Sequence, residues 1–137
     1  MDWITTYMGV VYPWELDHMD HMNVRFYTGK FDEATWRLFG GLGVTSTYLR
    51  DNDRGMAAVH QETEYKREVF AGDMLTVRSR VLEIGESSVR FMHEMSNAET
   101  GDVVATTRLV GVHLDRTMHK AIPFPDGLPA AEYRFST

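Results

Sequence analysis

Cysteine is absent from the 137 residues, which removes disulfides, thiolate metal sites and a cysteine nucleophile together. Its absence fits a reducing compartment. No run approaches the ~20 apolar positions a transmembrane helix needs. The N-terminal MDWITTYMG lacks the basic-then-apolar order of a secretory signal, so a soluble cytoplasmic protein is expected. Basic residues are the minority, 14 Lys and Arg against 20 Asp and Glu, for a net charge of -6. That balance gives no general footprint for nucleic acid or an anionic membrane. An anionic ligand must then be held by local basic residues. Also missing are a GxGxxG fingerprint, a phosphate-binding loop and a GxSxG elbow. The serines at 46, 79, 87, 88 and 96 lie in ordinary loop or strand contexts.

What is present suits one globular domain: 43% hydrophobic and 25% charged residues. Residues 4–16 carry β-branched and aromatic residues in loose alternation and are expected to form a first strand, with Gly9 as a bulge and Pro13 near its end. Tyr27, Phe31, Ala34, Leu38 and Leu42 then recur at spacings of three and four. Lys30, Asp32, Glu33 and Arg37 are assigned to the other faces of this helix, which Gly40, Gly41 and Gly43 end. A short helical turn is expected at Ser46–Arg50. Four strand-like segments follow (56–70, 74–84, 88–96 and 103–114), separated by short turns that favour an antiparallel meander. The layout is α+β: one long helix lying across the concave face of a curved sheet. Residues 1–120 form the domain and residues 121–137 an irregular tail. Exposed edge strands point to a homo-oligomer.

Chemistry concentrates where the first strand delivers the chain to the helix, at Asp17, His18, Asp20, His21 and Asn23. A helix N-terminus offers unpaired N–H donors and the positive end of the dipole. Asp17 or Asn23 could serve only as a helix cap. Alternatively, Asp17 is a nucleophile or general base facing N–H groups near Asn23–Arg25, which would polarise a carbonyl. The four acidic and imidazole side chains are also possible metal ligands. The spacing is not HExxH, however, and no second cluster follows, so no metal or other cofactor is expected.

The run Trp14-Glu15-x-Asp17-x-x-Asp20-His21-Met22-Asn23-x-x-x-Tyr27 resembles the signature Asp-x-x-Gly-His-x-Asn-x-x-x-Tyr of hotdog-fold acyl-CoA thioesterases, in the 4-hydroxybenzoyl-CoA thioesterase-like branch. Tyr65-Lys66-Arg67-Glu68-x-x-Ala71-Gly72-Asp73 is similar to that family's second strand and Gly-Asp turn. The resemblance implies a five-stranded antiparallel sheet around a long helix, with active sites at dimer interfaces and acyl-CoA as substrate. It places the catalytic carboxylate on Asp17, supported by His21 and Asn23, with Val24 and Tyr27 lining the substrate site. His60 and Glu62 on the second strand border the partner's site, and Glu62 or Glu64 is the alternative carboxylate. Lys66, Arg67, Arg90 and Arg108 are candidates for CoA phosphates.

One departure stands out. Asp20 occupies the family's glycine position, and Asp is among the few residues that tolerate a positive φ there. A carboxylate at that position either faces solvent or retunes Asp17. The wording DHMDHMN with FDEAT is similar to thioesterase modules of carnitine breakdown that act on betainyl-CoA. Asp20, Trp14, Tyr27 and Trp36 would suit such a cationic acyl head. Two rivals remain: a non-catalytic acyl-CoA-binding hotdog module, and an acyl-CoA hydratase, whose Asp-x-Asn-Pro-x-His spacing is one residue longer. The assembly is expected to be a homodimer or a dimer-of-dimers tetramer.

Overall fold

The computed structural model describes residues 1–135. In chain order it contains β1 (Ile4–Val10), α1 (Val24–Gly41), α2 (Ser46–Asp51), β2 (Arg54–Tyr65), β3 (Met74–Ile84), β4 (Ser88–Asn97), β5 (Val103–Asp115) and β6 (Lys120–Ala121). The main sheet is antiparallel in the order β1-β3-β4-β5-β2, and the two-residue β6 pairs with β5 where β4 has ended. A curled five-stranded sheet around one long helix is the hotdog architecture. No helix among the described residues is long and apolar enough to cross a membrane.

Strands β3, β4 and β5 bury largely alternate residues, so one face of the sheet is apolar. Leu75, Val77 and Val81 on β3, Val89, Phe91 and Met95 on β4, and Val104 and Leu109 on β5 are buried. Against them lies the stripe of α1, with Tyr27, Phe31, Ala34, Leu38 and Phe39 at 4% exposure or less. Fully burying each of the larger side chains contributes roughly 1.5–3 kcal/mol. Lys30 corrects the sequence reading, because it too is buried on this stripe, at 7% exposure.

A polar chain runs through the same core. Thr35 Oγ1 donates to the Phe31 carbonyl (3.0 Å), so it accepts from His93 Nε2–H (2.8 Å). His93 Nδ1 then accepts from Ser79 Oγ (2.5 Å), which in turn accepts from Thr6 Oγ1 (2.7 Å). Every donor in the chain has an acceptor, and the imidazole is left neutral.

Several boundaries differ from expectation. The first strand stops at Val10 because Pro13 opens a 3-10 turn, Pro13–Glu15. Its register shift falls between Thr5 and Tyr7, not at Gly9. The second strand runs Arg54–Tyr65, since beyond it the Lys66 and Arg67 N–H groups both turn to the Val104 carbonyl. Beyond Ala121 the described residues form no regular element. They dock on α1 through Ala130 N–H to Leu42 O and Arg134 N–H to Gly41 O, both 2.7 Å. Residues 136–137 of the expected tail lie outside the described residues.

Candidate active site

The β1–α1 connection folds back on itself. Leu16 and Met22 form an antiparallel bridge, Asp17 N–H donates to His21 O (3.0 Å), and Asp20 N–H donates to Asp17 O (3.0 Å). Closing so tight a loop needs one left-handed residue, and Asp20 supplies it at φ 66. The loop therefore keeps the shape expected of a glycine there. Asp20 itself is exposed.

The loop delivers Asp17 to the start of α1. Asp17 Oδ1 accepts the Met19 N–H at 2.8 Å, and Oδ2 accepts Asn23 Nδ2–H at 3.3 Å. The Met19 N–H, ahead of Asn23, His21 and His18, holds the carboxyl below the usual carboxylate range despite partial burial. Asp17 is thus an oriented, ionised carboxylate.

Asn23 has two roles. Its Oδ1 caps α1 by accepting the Arg25 N–H (3.1 Å), while its amide steers Asp17. The Asn23 N–H is spent on Glu15 O (2.9 Å) and the Phe26 N–H on Asn23 O (2.9 Å). Of the donors at Asn23–Arg25 this leaves Val24 N–H, which has no acceptor among the described residues.

Asp17, His21, Asn23, Val24 and Tyr27 line one pocket of about 300 Å³, closed opposite by Tyr65, Lys66, Arg67 and Glu68. Tyr27 forms its buried wall, donating its hydroxyl to Arg67 O (3.3 Å) and meeting the Tyr65 ring edge-on at 5.1 Å. Burial, with Tyr65 and Glu68 nearby, pushes the Tyr27 phenol up to about 12, so it stays protonated. His21 is partly exposed, with Nε2 3.8 Å from Glu68 Oε1.

The structure does not bring the remaining candidates to this pocket. Asp20 lies outside it, on the exposed loop surface. His60 and Glu62 oppose Val110 and Arg108 across the β2–β5 ladder. Gln61 and Thr63 instead oppose the buried Leu109 and Thr107, so His60 and Glu62 stand on the outer face of the sheet. Trp14 is 70% exposed and stacks on Tyr12 (4.6 Å), and Trp36 lies along α1, away from the pocket. Among the described residues no group of three His, Asp or Glu side chains converges as metal ligands would. Tyr65 and Glu68 were not singled out as pocket residues from sequence. The nearest signal was their place in the Tyr65–Asp73 segment.

The thioesterase-like superfamily profile matches residues 11–131. Two curated relatives, the L-carnitine dehydrogenase/betainyl-CoA thioesterases of Agrobacterium fabrum and Rhizobium meliloti, are 28% and 24% identical over 116 and 110 residues. Those matches cover 85% and 80% of this chain but 24% and 22% of the relatives, so the chain spans about a quarter of their length. Among solved structures, a 1,4-dihydroxy-2-naphthoyl-CoA thioesterase from Synechocystis superposes with a TM-score of 0.80 at 18% identity, covering 90% of both chains. A hypothetical protein from Staphylococcus aureus in complex with CoA gives 0.84 at 16% identity, covering 92% of this chain and 80% of the other. The match spans nearly the whole domain and includes the loop and helix that carry the pocket: the chain belongs to the thioesterase-like superfamily.

Proposed function

We propose that the protein hydrolyses the thioester of a small or medium acyl-CoA in the cytoplasm. The observation that carries this reading is an oriented, ionised carboxylate lining the same pocket as Val24, whose N–H at the start of α1 has no acceptor among the described residues. The thioester carbonyl oxygen accepts from Val24 N–H, where the helix dipole favours the developing negative charge. Asp17 then acts in one of two ways. As nucleophile it attacks the carbonyl carbon, the C–S bond breaks, CoA leaves as thiolate, and water hydrolyses the mixed anhydride. As general base it takes a proton from the water that attacks. His21 and Asn23 orient the carboxylate, and Tyr27 shapes the acyl side of the pocket. Lys66 and Arg67, both partly exposed at its rim, suit the anionic end of CoA.

Betainyl-CoA is the substrate we favour. Its ammonium nitrogen is two bonds from the carbonyl carbon, so any site for the carbonyl must also accept the cation. The Asp17 and Glu68 carboxylates and the Tyr27 and Tyr65 rings supply attraction of the right sign. Support for a homo-oligomer comes from β2, an edge strand exposed on both faces from Ala58 to Gln61, including Val59 at 61%. Pairing this edge with a second copy gives a homodimer, or a tetramer of two such dimers.

Free-thiol release from a panel of acyl-CoAs tests the reading. Hydrolysis in the parent, lost by at least about 100-fold in a folded Asp17→Asn variant, supports it. Near-parental turnover in Asp17→Asn removes Asp17 from the mechanism. Equal rates on betainyl-CoA and a neutral acyl-CoA of matched size refute the cation preference.

A further inference from the structure

We infer that the buried pair Glu15–Lys30 is a positioning device for the Asp17 site, an inference that rests on the function proposed above. Lys30 Nζ lies 2.7 Å from Glu15 Oε2, and both side chains are nearly inaccessible, at 8% and 10% exposure. Lys30 also donates to Tyr7 Oη at 3.2 Å, and Glu15 Oε1 accepts the Tyr12 N–H at 2.9 Å. The two charges therefore join β1, the 3-10 turn and α1 at one point. Burial acts to strip the Lys30 proton, but the Glu15 and Tyr7 contacts outweigh it and keep the ammonium charged.

From Glu15 the contacts lead to the reacting carboxylate in two steps. The Glu15 carbonyl accepts the Asn23 N–H (2.9 Å), and the Asn23 amide donates to Asp17 Oδ2 (3.3 Å). Asn23 also caps α1, whose first N–H is the unpaired donor of the site. Glu15 thus fixes the carboxylate and the oxyanion donor relative to each other. Stability alone is a poor account of the pair, because a buried ion pair typically contributes no more than well-packed apolar residues of the same volume. What a directional pair adds is register, and an active site loses rate steeply when its groups move by about 1 Å.

The test is the double variant Glu15→Gln with Lys30→Met, which removes both charges together and avoids stranding one. We expect it to fold with a melting temperature near the parent's, whereas Lys30→Met alone is strongly destabilised. Despite its stability, the double variant should lose about tenfold or more in kcat with KM within about twofold. By NMR, the Asp17 carboxyl titration should move up toward its ordinary 3.8, and the Asn23 amide should exchange faster. In an active parent, a double-variant kcat within twofold of the parent's overturns the proposal. A parent that releases no thiol from any acyl-CoA defeats the thioesterase reading instead. The pair is then judged by NMR alone, where unchanged titration and exchange overturn it.

Discussion

Two regions of this molecule hold the residue types of hydrolytic chemistry, and they differ in their access to solvent. In the core, Ser79 Oγ lies 2.5 Å from His93 Nδ1, a spacing that would suit a nucleophile and its base. Both side chains have 0% exposure, and burial lowers His93 to about 3. Its Nε2–H is committed to Thr35, whose hydroxyl donates onward to a backbone carbonyl, so no carboxylate waits to stabilise an imidazolium. At the β1–α1 loop the donors are a backbone amide and an asparagine, and the hydrogen bonds are looser. Yet the carboxylate there borders an open pocket and is kept ionised. Access and charge state separate the two regions more than residue identity does.

The contrast is broken most directly by substitution on each side. Asp17→Asn should abolish most thioester hydrolysis while leaving the circular dichroism spectrum and melting curve almost unchanged. Ser79→Ala should do the reverse. It leaves His93 Nδ1 buried without its donor, at a cost of about 1–3 kcal/mol, with turnover per folded molecule within about twofold of the parent's. A Ser79→Ala enzyme that is stable but inactive would reassign the chemistry to the core.

Acid should pull the two regions apart in a second way. His93 titrates at about 3 in the fold against an ordinary 6.5. Between those values the unfolded chain binds a proton that the native state excludes, so stability falls as pH is lowered through this window. The limiting slope is about 1.4 kcal/mol per pH unit. Asp17 has the carboxylate sign: its contribution is present above 3.8 and is lost only as pH falls through its lowered folded value. Between pH 6 and 4 the melting temperature should therefore drop while Asp17 stays ionised. Thiol release, corrected for the folded fraction, should show no Asp17 limb in that range. His93→Gln should flatten the dependence of melting temperature on pH. An unchanged slope in that variant would show that another group drives the acid response.

How much of this was legible in sequence depended on whether the deciding neighbour was local. The apolar stripe of α1 is written in spacings of three and four, and the buried residues follow it. The loop was legible because its capping asparagine and its carboxylate sit within six residues of each other. Lys30 shows where that legibility fails. It falls three residues after Tyr27 and four before Ala34, so geometry places it on the stripe, and only its charge argued for solvent. The partner that reverses the argument, Glu15, belongs to a different element. His60 and Glu62 stand apart from this chain's own pocket for a related reason. Alternation correctly puts them on one face, but the face is fixed by Val110 and Arg108 on β5, and β2 shifts register between Ala58 and His60.

Asp20 offers the smallest and sharpest test, because it separates the shape of the loop from its charge. Its φ of 66 is a conformation in which a β-carbon is penalised, although Asp and Asn bear the penalty better than most residues. Asp20→Gly should leave the Asp17 and Met19 contacts intact and raise stability by a few tenths of a kcal/mol to about 1, relieved strain being partly offset by a freer unfolded chain. Asp20→Val should cost about 1–2 kcal/mol, since branching at the β-carbon suits a positive φ least. If the carboxylate serves only the turn, kcat in Asp20→Gly stays within about twofold for neutral and cationic acyl-CoAs alike. A selective loss on the cationic substrate would mean that Asp20 reaches the acyl head in the assembled protein, although within a single chain it lies outside the pocket.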